Sequence, residues 1–229
     1  MIIKNLFIDI SSYQRSDLGF FEEMKGRGVK GVMVKVTEGD SSGSNYVNPK
    51  WAAQVTNAIK AGLQTGVYHF ARWSSPQNAR TEANFFLKQV LPYGFDSSTA
   101  VMVDCETNQY GLSSANYQAC VNAWLDEVGK HFSRLSVYAN KSWWTTFLNS
   151  HNIGRAVPWL AGYNITSLGI NNAGAWQFTD NFYGVDASYD FVGIFTTSDV
   201  QPKPKEQPKP AGPRVITLKK GEEVVIRDE

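Results

Sequence analysis

Two carboxylates follow a short apolar run near the middle of the chain, in the segment VMVDCET at residues 101–107. Because side chains alternate between the two faces of a strand, Asp104 and Glu106 should share one face, with Cys105 on the other. Two carboxyl groups on one face of a partly dry cleft resist ionising together, so the pKa of one rises. The protonated carboxyl can then act as a general acid and the ionised one as a positioning or charge-stabilising group, as glycoside hydrolysis requires.

A DxE triplet is also typical of a solvated surface, so the spacing alone leaves that alternative open. Two further observations favour a site. The apolar residues 101–103 bury the approach to the pair, and Asp9 and Asp186 occur in two other strand-like segments. The carboxylates come from distant parts of the chain, so a fold that gathers strand ends is needed to bring them together.

The chain alternates strand-like and helical patterns, which predicts parallel strands joined by right-handed crossovers. The five strand-like segments that precede a helical pattern are residues 6–11, 31–39, 65–71, 100–106 and 135–140. Three more follow with only loops between them, at residues 157–163, 174–180 and 184–195. Together they predict an α/β fold, an irregular TIM-like (β/α)5(β)3 barrel. An open doubly wound sheet is the alternative, but no GxGxxG motif follows the first strand.

Polar and aromatic residues cluster at the C-terminal ends of these predicted strands, and active sites of such barrels lie at that rim. They are Asp9, Ser11, Lys35, Glu38, Tyr68, His69, Phe70, Arg72, Asp104, Glu106, Tyr138, Asn140, Trp159, Tyr163, Trp176, Gln177 and Asp186.

The amino-acid composition indicates which kinds of molecule this protein could bind. Lys and Arg total 22 against 21 Asp and Glu, so the basic excess of a nucleic-acid binder is missing. Aromatic residues make up 13% of the chain, which suits carbohydrate stacking as well as an aromatic core. No segment approaches the ~20 apolar residues of a membrane span. His69, His131 and His151 lack metal-ligand spacing, and neither an HExxH motif nor a Gly-rich phosphate loop occurs, so we expect no metal and no cofactor.

The N-terminal sequence MIIKNLFIDIS and the two cysteines bear on the compartment. The N-terminus lacks the length and cleavage site of a Sec signal peptide, so we expect synthesis in a cytoplasm without export by that route. Cys105 should face a covering layer and Cys120 lies in a helical pattern. Buried free thiols are therefore favoured over a disulfide bridge.

The composition changes near the C-terminus. We expect a catalytic barrel at residues 1–198 and an extended Pro/Lys-rich linker at residues 199–213, which include QPKPKEQPKP. Residues 214–229 are too few to bury a core of their own. They are interpreted as the start of a second module, with pairing to the barrel as the alternative.

The segments FIDISSYQ, VMVKVTEG, GVYHFA, VMVDCET, AWQFTD and GVDASYDF occur in an order that resembles glycoside hydrolase family 25, the N-acetylmuramidase lysozymes. The resemblance covers roughly residues 5–195, and GVDASYDF fits it less closely than the others. It implies cleavage of the β-1,4 bond between N-acetylmuramic acid and N-acetylglucosamine in bacterial peptidoglycan. It also implies the (β/α)5(β)3 barrel predicted above.

The resemblance implies roles for individual residues. Glu106 is the expected general acid, and Asp104 orients the substrate acetamido group or stabilises oxocarbenium charge. Asp9 and Asp186 hold the hydrogen-bond network and charge of the site. The attacking group stays open among a carboxylate, the acetamido oxygen and a water molecule. The expected substrate-binding residues are Lys35, Glu38, Tyr68, Phe70, Tyr138, Tyr163, Trp176 and Gln177.

The linker and tail, with no export signal, resemble a phage endolysin, which implies accumulation in the host cytoplasm, release through a holin and a wall-binding C-terminal module. The oligomeric state stays open. Two other functions compete: a non-catalytic glycan-binding barrel, and a chitinase-type hydrolase. The longer acidic motif of chitinases, DxxDxDxE, is represented here only by its final DxE.

Overall fold

Eight strands close into a barrel in the computed structural model, which describes residues 5–40 and 45–197. A short additional strand, β3, pairs with β2 at the edge of the barrel. The strands in chain order are β1 (Asn5–Ile10), β2 (Val29–Glu38), β3 (Tyr46–Val47), β4 (Gln64–Phe70), β5 (Ala100–Asp104), β6 (Arg134–Asn140), β7 (Val157–Ala161), β8 (Ala175–Phe182) and β9 (Val185–Asp190).

Five helices follow the first five barrel strands and cover their outer faces. They are α1 (Leu18–Gly26), α2 (Trp51–Lys60), α3 (Pro76–Tyr93), α4 (Ser114–Val128) and α5 (Lys141–Thr146). Asp17, Ser75 and Ser113 cap the starts of α1, α3 and α4, each accepting a hydrogen bond from a backbone N–H in the first turn. The predicted α/β (β/α)5(β)3 barrel is therefore confirmed.

The last barrel strand runs against its neighbours. The barrel strands from β1 to β8 pair in parallel, whereas β9 is antiparallel to both β8 and β1. The tight turn between β8 and β9 contains Tyr183 and Gly184, both with positive φ (54° and 86°), as short hairpin turns require. Because β9 returns alongside β1, Asp186 lies directly opposite Asp9.

Alternation along the strands divides the core into two layers. On β5, Val101 and Val103 pack outward against the helices, while Met102 faces the barrel interior. At the bottom of the barrel, the Phe195 ring stacks on Phe7 with centroids 4.5 Å apart and contacts Trp159 at 5.1 Å. These aromatic rings therefore fill the interior at the bottom of the barrel.

The two cysteines have the state that the sequence predicted. Cys105 and Cys120 are both buried free thiols.

The predicted C-terminal regions are not part of the described structure. The described residues end at residue 197, so the predicted linker at residues 199–213 and the predicted second module at residues 214–229 lie outside them and stay predictions. Among the helices of the described ranges, none combines the length and apolarity that crossing a bilayer requires.

Candidate active site

A cavity of about 180 Å³ opens at the C-terminal rim of the barrel. Because parallel strands end at the same edge, residues far apart in the chain meet there. Its lining consists of Asp9, Ser11, Lys35, Tyr68, Phe70, Met102, Asp104, Glu106, Tyr138 and Asp186. All four predicted catalytic carboxylates therefore surround one space.

Asp104 and Glu106 reach the cavity by the alternation that the sequence predicts. Strand β5 ends at Asp104, but the Cys105 backbone N–H still donates to the Tyr138 carbonyl oxygen at 2.8 Å, which keeps the chain extended beside β6. The Asp104 side chain is buried, and its Oδ1 has no hydrogen-bond partner within the described part of the chain. Glu106, two residues further, is exposed at the mouth of the cavity.

Asp9 and Asp186 form a second carboxyl pair across the β1–β9 ladder. The Gln177 side-chain amide donates to Asp9 Oδ2 at 3.0 Å. The same Gln177 accepts through Oε1 from the hydroxyls of Tyr138 and Tyr163, each at 2.8 Å. Gln177 therefore connects β1, β6 and β8, and fixes the orientation of the Asp9 carboxyl.

The pKa values of all four carboxyls are raised, and burial is the largest cause for each. The Asp9 carboxyl is raised well above its ordinary pKa, with the Asp186 charge adding to burial. For Asp104 the charge of Glu106 adds to burial, while Lys35 opposes the rise. The Asp186 pKa is raised to about 6, with Asp180 the second cause.

Glu106 differs from the other three because it combines exposure with a raised pKa. Surrounding protein displaces water from its carboxyl, which raises the pKa, whereas a Tyr138 hydrogen bond and the Lys35 charge lower it. A carboxyl with a raised pKa binds its proton more tightly than an ordinary glutamate, and because it is open to solvent it can donate that proton and regain it. Asp104 and Glu106 interact, so their titration steps belong to the pair.

The sequence matches the family model described as glycosyl hydrolases family 25 over residues 8–186, most of the chain and nearly the whole barrel. The chain belongs to glycosyl hydrolases family 25. The match begins just before Asp9 and ends at Asp186, so it contains every carboxylate of the cavity.

Relatives in family 25 have similar sequences and folds. Lysozyme M1 of Streptomyces globisporus is 27% identical over 80% of this chain and 65% of its own length. An N,O-diacetylmuramidase of Arthroderma benhamiae is 28% identical over 81% of this chain and 78% of its own. The crystal structure of the CTP1L endolysin is 29% identical, with a TM-score of 0.67 over 83% of this chain and 67% of that one. This chain thus spans less than two thirds of Lysozyme M1.

The predicted substrate-binding residues of this family 25 chain divide by position. Lys35, Tyr68, Phe70 and Tyr138 line the cavity, and Gln177 contacts it through Asp9. Burial and nearby carboxylates raise the pKa of the Tyr68 and Tyr138 hydroxyls, so both remain protonated donors.

Besides Gln177, three other predicted binding residues lie outside the lining of the cavity. Tyr163 is 40% exposed, and its hydroxyl donates to Gln177, which in turn contacts Asp9. Glu38 does not line the cavity itself, but its carboxylate binds Lys35, which does. Trp176 is not brought to the carboxylates: its indole N–H donates to the Gly162 carbonyl oxygen at 2.7 Å, and it lines a separate apolar pocket. Neighbours on a strand face opposite sides, so Gln177 and Trp176 could not both point inward.

Three contributors at or beside the cavity were not among the predicted site residues. Ser11 and Met102 line it, and Arg72 binds Glu38 beside it. Ser11 and Arg72 were visible as polar residues at strand ends, and Met102 shares the alternation of Asp104. Within the described residues, no group of three or more His, Cys, Asp or Glu side chains could hold a metal ion.

Removing the charge of Asp186 should stabilise the protein near neutral pH. Its folded pKa of about 6 lies above the unfolded value, so the stability contributed by its protonated form is lost as pH rises from about 4 through 6. Asp186→Asn keeps an oxygen that can accept the hydrogen bond from Asp9. We expect thermal denaturation to give a Tm about 2–6 °C above that of the unmodified protein at pH 7.

The same comparison at pH 4 should show a much smaller gain, because the folded state then carries the proton and the unfolded state carries it about half of the time. Asp126→Asn, at an exposed position of α4 away from the cavity, is the control for the chemical change itself and should alter the Tm at pH 7 by less than Asp186→Asn does. A gain for Asp186→Asn that is the same at pH 4 and pH 7 would contradict the assigned titration.

Proposed function

We propose that this chain is an N-acetylmuramidase that hydrolyses the β-1,4 bond between N-acetylmuramic acid and N-acetylglucosamine in bacterial peptidoglycan. The observation that carries the proposal is the single cavity lined by Asp9, Asp104, Glu106 and Asp186. Membership of family 25 supports glycoside hydrolysis, and the names of the lysozyme and muramidase relatives support this substrate.

Glu106 is proposed as the general acid. Its exposed carboxyl lies at the mouth of the cavity and has a raised pKa, so it can protonate the glycosidic oxygen as the bond to the anomeric carbon breaks. The leaving sugar departs with a new hydroxyl, and a water molecule supplies the hydroxyl that bonds to the anomeric carbon. The proton that this water loses replaces the one that Glu106 donated, directly or through solvent.

Asp104 is proposed to contact the substrate directly. Its buried Oδ1 has no partner in the described residues, and an unpaired buried oxygen is costly unless a bound group satisfies it. The acetamido group of the sugar on the glycone side is the polar group of suitable size. Inversion at the anomeric carbon would identify direct attack by water, whereas retention would indicate attack by the acetamido oxygen or by a carboxylate.

Asp9 and Asp186 are proposed to organise the opposite wall. Asp9 keeps its proton and donates to Asp186, while Gln177 donates to Asp9. This arrangement places one shared negative charge across the cavity from Glu106, where it can stabilise positive charge on the sugar ring in the transition state. Tyr138, which donates to Gln177, ties this wall to β6.

The products of wall digestion identify the bond that is cleaved. Purified Gram-positive walls are digested, the new reducing ends are reduced with borohydride, and the fragments are analysed by mass spectrometry. We expect fragments that end in reduced muramic acid. Fragments that end in reduced glucosamine would instead identify a glucosaminidase and overturn the proposal.

Two competing functions give different results in the same assay. A chitinase-type hydrolase would release oligomers from chitin and leave walls intact. A non-catalytic glycan-binding barrel would bind walls without releasing any reducing sugar, and Glu106→Gln would bind as well as the unmodified chain.

We further propose that the enzyme acts as a phage endolysin, made in the host cytoplasm and released to the wall by a holin. The likeness to the CTP1L endolysin supports this role. Expression inside a Gram-positive host should leave cells intact until the membrane is permeabilised, and lysis should then follow within minutes. Lysis that begins on expression alone, without permeabilisation, would contradict the need for a holin.

A further inference from the structure

Two cationic side chains lie close to the aromatic ring of Phe70 at the edge of the cavity. The Lys35 ammonium lies 4.5 Å from the ring centroid, and the Arg72 guanidinium lies 4.9 Å from it. Lys35 and Phe70 line the cavity, whereas Arg72 is not part of its lining. Two like charges this close need an anion between them.

Glu38 supplies that anion, and its two oxygens serve different partners. Oε2 accepts from Lys35 Nζ at 2.5 Å. Oε1 accepts from Arg72 through two nitrogens, Nε at 2.8 Å and a terminal nitrogen at 2.6 Å. The side chains of Lys35 and Glu38 are only 13% and 17% exposed, so the bridge is largely shielded from water. Glu38 therefore has one orientation in which both ion pairs form.

The backbone of Arg72 is anchored independently of this bridge. Its N–H donates to Glu82 Oε2 at 3.0 Å, and the same oxygen contacts His69 Nε2 at 2.8 Å. The other ring nitrogen of His69 bonds the Thr37 hydroxyl at 2.8 Å. Glu82, His69 and Thr37 are fully buried between the barrel and its helices. Arg72 thus extends from a fixed point in the core toward the cavity.

We propose that Arg72 is a positioning residue, which acts through Glu38 to hold the Lys35 ammonium beside the carboxylate cavity. The expected effect of Arg72 on catalysis rests on the proposed hydrolase function. The coupling of Arg72 to the cavity through Glu38 can be measured without any substrate.

The electrostatic consequence follows from the charges around the bridge. Lys35 lowers the pKa of both Asp104 and Glu106, whereas the Glu38 charge raises that of Asp104. Arg72 neutralises Glu38, so losing Arg72 leaves a negative charge uncompensated next to Lys35. The titratable and charged groups that face this region are Asp9, Lys35, Glu38, Tyr46, Tyr68, Arg72, Asp104, Glu106, Tyr138, Tyr163 and Asp186, with His69 and Glu82 beside the Arg72 backbone.

The experiment compares Arg72→Met in two backgrounds, the unmodified chain and Glu38→Gln. The carboxyl ¹³C signal of Glu106, assigned with Glu106→Gln, is titrated by NMR, and the pH profile of kcat/KM is recorded on soluble peptidoglycan fragments. Arg80→Met is the matched control, because Arg80 has similar exposure (39%) and one carboxylate partner, Glu127, away from the cavity.

In the unmodified background, Arg72→Met should raise the Glu106 pKa by about half a pH unit. The shift is modest because the lost cation acts on Glu106 only indirectly, through Glu38 and Lys35. The basic limb of the profile should move to higher pH by the same amount, while the pH-independent maximum of kcat/KM should fall about 3- to 10-fold, because Lys35 is no longer held in place. In the Glu38→Gln background the same substitution should move the pKa by less than half as much. Arg80→Met should leave both readouts unchanged.

An equal pKa shift in both backgrounds would overturn the inference, since Arg72 would then act by its own charge. A lower Tm with no pKa shift would also overturn it and leave Arg72 a purely structural role. If the unmodified chain released no sugar, the proposed function would fail, but the NMR comparison would still decide whether Arg72 is coupled to Glu106.

Discussion

Glu106→Gln is expected to lower the rate of reducing-sugar release from bacterial walls by about 10²- to 10⁴-fold, the usual contribution of a general acid. Glutamine keeps the size of the side chain and its hydrogen-bonding capacity but has no proton to give to the leaving oxygen. Glu106 is exposed at the cavity mouth, so the fold should tolerate the change. Removing a carboxyl with a raised pKa relieves repulsion with Asp104, and the Tm should not fall.

The control for this experiment is Glu22→Gln. Glu22 is exposed on α1, on the outside of the barrel, and the chemical change is identical. It should retain the activity of the unmodified chain. If Glu106→Gln kept more than a tenth of that activity while Glu22→Gln kept all of it, another group would have to donate the proton, and Asp104 would be the next candidate.

The largest effect on stability is expected for Asp190→Ala. The buried Asp190 carboxylate accepts four backbone N–H bonds, from Val192 at 3.2 Å, Gly193 at 2.8 Å, Phe195 at 2.8 Å and Thr196 at 3.0 Å. The Thr196 hydroxyl adds a fifth at 2.8 Å. This turn delivers the Phe195 ring to the bottom of the barrel, where it closes the core.

Alanine at position 190 would leave several backbone donors without an acceptor and loosen the ring that they position. Hydrogen bonds to a charged acceptor contribute more to stability than neutral ones, and one substitution removes all of them here. We therefore expect the free energy of unfolding to fall by about 3–5 kcal/mol. For a chain of this size that lowers the Tm by on the order of 10 °C. Urea denaturation and calorimetry measure both quantities.

Asp126→Ala is the matched control, an exposed aspartate on α4, and should change the free energy of unfolding by less than about 0.5 kcal/mol. A loss below about 1 kcal/mol for Asp190→Ala would show that the turn at residues 191–197 forms without its acceptor. Phe195→Ala should reproduce most of the Asp190→Ala loss, because the Asp190 hydrogen bonds act by holding that ring in place.

The sequence by itself determined the barrel and the location of its site. Apolar periodicity separates strands from helices, and parallel strands must end at one edge, so polar strand ends converge there. Strand alternation placed Asp104 and Glu106 on one face, and Cys105 N–H bonding to Tyr138 extends that alternation past the end of β5. These inferences depend on local geometry, which each segment carries with it.

Only the tertiary structure decided which neighbours those strand ends meet. Gln177 and Trp176 were equally plausible in sequence, and the inward choice for Gln177 comes from its fit between Asp9, Tyr138 and Tyr163. The antiparallel return of β9 sets Asp186 opposite Asp9. Long-range pairing of this kind depends on barrel closure.

The protonation and pairing of the charged groups around the cavity also depend on contacts between distant parts of the chain. Arg72 and Glu38 are 34 residues apart, yet they form one ion pair. The raised pKa values come chiefly from burial, which is a property of the packed molecule. Residue types and strand periodicity therefore determined which groups could do the chemistry, whereas desolvation and contacts between distant strands decided their protonation and orientation.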